Sequence, residues 1–89
     1  MKYVTEKITK DMLGYSYTPN EKERLLKYMK SFDAIAAAPE SVYDVTDNHN
    51  TFLESKAYSD GLYCWETQDI YHLEKYDLAL PKDFLRHVL

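Results

Sequence analysis

An α+β domain, built as a three-stranded antiparallel meander packed with about four short-to-medium helices, is what this chain predicts. Three observations carry that expectation. Residues 18–35 read as a capped amphipathic helix. After Pro39 the apolar spacing changes to short β-like runs broken by polar turns. Beyond Trp65 two further helical patterns follow, the second opened by Pro81. Its 89 residues leave room for one core, so the chain from 1 to 89 is read as a single domain.

Each element has its own local reason. Val4, Ile8 and Met12 recur every four residues, which predicts a short N-terminal helix stopped by Gly14 as a left-handed cap. Residues 2–8 are also good strand formers, with Tyr3, Val4, Thr5 and Ile8 among them. Thr18-Pro-Asn-Glu21 is a capping box with proline at the first helical position. Leu25, Leu26, Met29, Phe32 and Ile35 then share one face, and the helix should fade through Ala36–Ala38 because Pro39 disfavours helical geometry before it. Ser41–Val45 and Thr51–Tyr58 read as strands joined by the turn-rich Thr46–Asn50. Asp60-Gly61 gives a hairpin reversal into Leu62–Trp65. Thr67 is a suitable N-cap for a helix to about Tyr76, with Ile70 and Leu73 on successive turns. Pro81 starts a last helix with Phe84, Leu85 and Val88 on one side.

Composition narrows the function classes. The longest uninterrupted apolar run, Ala34 to Ala38, is far short of the roughly 20 residues a membrane helix needs. The charged start Met1-Lys-Tyr-Val-Thr-Glu-Lys lacks the apolar stretch of a signal peptide. One cysteine, Cys64, excludes an internal disulfide and a thiolate metal cluster. The expectation is a soluble cytoplasmic protein with no membrane partner. Charge is split along the chain. Residues 1–32 hold seven basic and four acidic groups, and residues 33–89 hold four basic and eleven acidic ones. From Asp33 to Glu54 there are five acids and no Lys or Arg. Such asymmetry, with nine tyrosines in all, favours a charged protein partner.

Asp44-Val-Thr-Asp47-Asn-His49-Asn50 is rich in metal-type ligands, but it lacks the glycine and the register of a calcium loop, so it reads as an Asx-type turn. Asp69 and His72 are one helical turn apart and could serve as a general base pair or as metal ligands. Without a third group they read as a solvent-facing pair on the polar side. Cys64 lies among acidic and aromatic residues, which makes it an inert or modestly exposed thiol. Lys22, Arg24, Lys27 and Lys30 make a poor phosphate-binding surface in an acidic protein, so no nucleic acid is expected. No cofactor fingerprint or catalytic motif is present. The chain therefore reads as a non-enzyme with no catalytic residues, no metal and no cofactor.

The C-terminal block carries a resemblance. Tyr58-Ser-Asp60-Gly61-Leu-Tyr63-Cys-Trp65, then Ile70-Tyr71-His-Leu-Glu74-Lys75-Tyr76, then Leu80-Pro81-Lys-Asp-Phe84-Leu85-Arg-His87-Val88, resembles small bacterial proteins of largely unknown role. Some of these look like immunity proteins of toxin–antitoxin or contact-inhibition systems. The resemblance covers about residues 32–89, and its motifs are structural. It implies architectural roles for Asp60, Gly61, Trp65, Pro81 and Phe84, and no reaction. The leading expectation is a small inhibitor that masks a basic partner through Asp44, Asp47, Glu54, Tyr43 and Tyr58. The alternative is a structural or regulatory subunit that homodimerises through its aromatic strands. A small enzyme using Asp69 and His72 ranks last.

Overall fold

The computed structural model describes residues 2–89. Strands β1 (Lys2–Tyr3), β2 (Ala36–Asp44), β3 (His49–Ser59) and β4 (Tyr63–Glu66) form one sheet in the order β1-β4-β3-β2. Helices α1 (Pro19–Met29), α2 (Thr67–Tyr76) and α3 (Lys82–Val88) complete the α+β domain. The β2-β3-β4 part is an antiparallel meander, and β1 adds a fourth strand parallel to β4.

That fourth strand corrects the expected N-terminal helix. Lys2 and Tyr3 pair with Tyr63 and Cys64, and the N–H groups of Lys2 and Val4 donate to the carbonyls of Leu62 and Cys64 at 3.0 and 2.9 Å. The open edge of β4 supplies acceptors that a short isolated helix could not match, and the aromatic and β-branched residues at 3–5 suit the extended geometry. Val4 and Ile8 still reach the core, and the only helical piece in this segment is a 3-10 turn at Lys10–Met12. Gly14, at φ +83°, caps a different helix from the one expected: its N–H donates to the carbonyl of Tyr76 at 2.8 Å, near the end of α2.

In α1 the capping box is reciprocal. Thr18 Oγ1 accepts from the Glu21 N–H at 3.1 Å, and Glu21 Oε1 accepts from the Thr18 N–H at 2.9 Å. Leu25 and Met29 are fully buried. The helix ends at Met29 rather than fading through the alanines, which lie in β2, and Ile35 is exposed instead of continuing the apolar face. Sheet pairing overrides alanine's helical preference there: the Ile35 N–H donates to the Ala57 carbonyl at 2.8 Å, and Ala36 and Ala37 pair with Ala57 and Lys56. Pro39 is tolerated because β2 is an edge strand, where a missing N–H breaks no ladder.

Asp60-Gly61 turns β3 into β4. Asp60 Oδ1 accepts from the N–H groups of Leu62 and Tyr63 at 2.9 and 2.8 Å, and Gly61 takes φ +98°. Trp65 is fully buried beneath the last turn of α1, where its indole N–H donates to the Met29 carbonyl at 3.1 Å. Phe84 packs against it at 5.7 Å between ring centroids. Leu25, Met29, Leu73 and Leu78 complete the centre of the core. Two helix starts shift by one residue from expectation: Glu66 is the N-cap of α2 in place of Thr67, and Pro81 precedes α3 as its N-cap.

Candidate functional site

The β2–β3 arm carries the acidic and aromatic surface, and its shape comes from two opposed irregularities. Ala36 and Ala37 pair in register with Ala57 and Lys56, the pairing slips at Ser41↔Glu54, and it returns at Tyr43↔Asn50. Ala38, Pro39 and Glu40 thus oppose Ser55 alone, whereas Thr51, Phe52 and Leu53 oppose Val42 alone. Bulges of this kind bend a strand and re-aim its side chains. Here they turn Phe52 entirely to solvent, at 107% relative exposure, and leave Leu53 about half exposed at 47%. The Leu53 N–H donates to Thr51 Oγ1 at 3.0 Å, closing the second bulge.

The expected contact residues divide into three places. Asp47, in the turn between β2 and β3, is exposed and lies 3.8 Å from His49. Tyr43 is 41% exposed, and its hydroxyl donates to Asn48 Oδ1 at 3.0 Å. Glu54 and Tyr58 line a cleft of about 420 Å³ with Phe52, Leu53, Lys56 and Thr67. Glu54 is exposed there, while Tyr58 is half-buried beside its register partner Trp65. Asp44 requires a correction: it is fully buried and cannot meet a partner.

Asp44 is instead the centre of a closed network. It accepts from the hydroxyls of Tyr71 at 2.5 Å, Tyr76 at 2.7 Å and Thr46 at 2.6 Å, and from the Thr46 N–H at 2.9 Å. Burial alone would push this carboxyl up, but the donors from Thr46, Tyr71 and Tyr76 outweigh it and hold the group well below the usual carboxylate range. Tyr71 and Tyr76 lie on α2, so the anion ties that helix to the end of β2. Asp44, Asp47 and His49 place one ligand atom each within 4.8 Å of one another. The donors already on Asp44 account for its carboxylate oxygens, and the other two groups are solvated.

Asp69 and His72 are also corrected, from a solvent-facing pair to two buried groups. His72 Nδ1 meets the Gln68 carbonyl at 2.8 Å, and its Nε2 accepts from the Val45 N–H at 3.2 Å, so backbone partners hold the ring on both sides. Gln68, one turn earlier, accepts from the Tyr43 N–H at 3.0 Å and donates to the Tyr43 carbonyl. Gln68 covers the outer edge of β2 at Tyr43, and His72 holds Val45 just beyond the end of that strand. Asp69 accepts from Thr5 Oγ1 and from the Glu66 N–H. Burial pushes its carboxyl up to about 6 against the pull of those two donors. Cys64 is buried as well, and its thiol is pushed up by burial and by the charges of Glu66 and Asp69.

A second carboxylate hub lies at the opposite end of the sheet. Besides the turn N–H groups, Asp60 Oδ2 accepts from the Tyr28 hydroxyl at 2.6 Å and meets His87 Nε2 at 2.8 Å, joining α1, α3 and the hairpin. The basic face of α1 is partly neutralised within the fold: Lys22 pairs with Asp77 at 2.7 Å and Lys30 with Glu74 at 2.9 Å. Among the described residues no helix is long and apolar enough to cross a membrane. Sequence reasoning missed Phe52, Gln68 and His72 as determinants of this surface. Gln68 and His72 carried one usable signal, their four-residue spacing on α2; Phe52 carried none, because the bulge that exposes it depends on the register of the partner strand. Comparison with known proteins returns no matching family model, no matching curated protein and no matching solved structure.

Proposed function

We propose that the protein is a non-enzymatic binding domain, an immunity-type or similar small inhibitor, that masks a basic protein partner with its β2–β3 arm. The observation that carries this reading is the exposed acidic set Asp33, Glu40, Asp47 and Glu54, in a segment with no Lys or Arg, beside exposed Tyr43 and Phe52. Acidic groups of this kind steer association with a cationic surface, and aromatic rings supply desolvated contact. The polar groups that could have served catalysis, Asp44, Asp69 and His72, are buried and engaged in internal hydrogen bonds. The same geometry weighs against dimerisation through the Tyr43 end of the β2 edge, where Gln68 occupies the N–H and carbonyl of Tyr43, and Pro39 lacks an N–H to offer.

The test is capture from lysate of the native host on tagged protein, with elution by a salt gradient. A basic protein released at moderate salt, and no longer retained by an Asp47→Asn/Glu54→Gln double variant, is the expected result. Recovery only of untagged copies of this chain would replace the reading with self-assembly.

A further inference from the structure

We infer that the paired bulges of the β2–β3 arm present Phe52 and Leu53 as the apolar anchor of the docking surface, for a cationic protein segment carrying an apolar socket. The inference rests on the binding role proposed above and adds the residue that dominates it. A benzyl side chain held fully in water is unfavourable in an isolated molecule, and here it is held there by construction. The register slips by three residues against one on each strand in turn, and the two slips cancel, so the strands are back in phase at Tyr43↔Asn50. Thr51 fixes the bulge through its hydroxyl on the Leu53 N–H. Phe52 and Leu53 then stand on the rim of the cleft that also holds Glu54 and Tyr58.

Charge selects the occupant. Glu54 is exposed beside the anchor, Glu40 is exposed next to Ser41, the register partner of Glu54, and Asp47 is exposed at the tip. Lys56 is the sole cation of the arm, and it lies 3.9 Å from Glu54. Two copies of this chain meeting arm to arm would bring their acidic rims together, which is unfavourable. A segment bearing Lys or Arg around an apolar hollow fits both features.

Fluorescence anisotropy with three labelled synthetic peptides tests this: a Lys/Leu amphipathic peptide, its Lys/Ser counterpart and a Glu/Leu counterpart. The Lys/Leu peptide is expected to bind the wild type with an affinity that falls with salt, well ahead of the other two. Phe52→Ser is expected to weaken that binding about tenfold or more, as truncation of a central aromatic anchor does, with an unchanged unfolding midpoint. Leu53→Ser should weaken it less. Equal binding by the wild type and both serine variants would overturn the anchor while leaving the basic-partner reading standing. Failure of both cationic peptides to bind the wild type would defeat that reading and the anchor with it. A wild-type dimer in sedimentation that Phe52→Ser converts to monomer would assign the surface to a second copy instead.

Discussion

At the scale of single residues, the polar groups divide by whether the fold closes around them. Asp69 has its carboxyl pushed up to about 6 by burial, from an ordinary value of 3.8. A folded-state value above the unfolded one means that the native state holds the proton more tightly. The stabilisation is complete below about pH 4 and is lost as pH rises through about 6, amounting to about 3 kcal/mol over that window. Asp69→Asn cannot ionise, so its stability relative to wild type should rise by about that amount between pH 4 and pH 7. Urea unfolding of both proteins at several pH values checks this, and a pH-independent difference would contradict it. Asp44 and Asp60 act in the opposite sense, since their carboxyls are held below the usual range and their contribution is lost as pH falls below about 4. None of this was legible in the sequence. Helical periodicity places Asp69 and His72 on a polar face, but their partners Thr5 and Val45 lie 64 and 27 positions away. Asp44 reads as an exposed loop acid until Tyr71 and Tyr76 close over it.

At the scale of elements, agreement between sequence and structure follows how local the signals are. The capping box of α1, the Asp-Gly turn and the helices over residues 67–76 and 82–88 are specified within a few residues of themselves. The N-terminal strand and the extension of β2 through Ala36–Ala38 depend on edges offered by distant strands, β4 and β3. Propensity has nothing to say about such edges. The α2 helix has a second task beyond burying Ile70 and Leu73, because Gln68 and His72 occupy backbone groups of Tyr43 in β2 and of Val45 just beyond it. Gln68→Ala should release two of these backbone groups at a cost of about 1–2 kcal/mol. Native-state hydrogen exchange should then show faster exchange at Tyr43 with little change at Trp65. Unchanged protection at Tyr43 would show that the edge is held by something other than Gln68.

At the scale of the whole molecule, the fold separates a core-forming side from an acidic, solvent-exposed arm. Trp65, Phe84, Leu25 and Met29 bind the helices to the β4 side of the sheet, with Asp60 fastening α1, α3 and the hairpin together. The β2–β3 arm stands at the other edge, with alternate bulges and a largely uncompensated acidic surface. Besides the β3–β4 ladder, buried Asp44 ties the end of β2 to α2 through Tyr71 and Tyr76, so an acid expected as a partner contact serves the fold instead. Charge asymmetry was legible from the sequence alone; the division of labour among the acids was not. The measurement that tests the proposed binding role most directly is hydrogen–deuterium exchange of the protein alone and with the basic protein that the salt-gradient capture is expected to recover. Protection concentrated over residues 40–58, with α1 and α3 unchanged, is the predicted result. Protection confined to α1 and α3, with the β2–β3 arm exchanging as in the free protein, would contradict it.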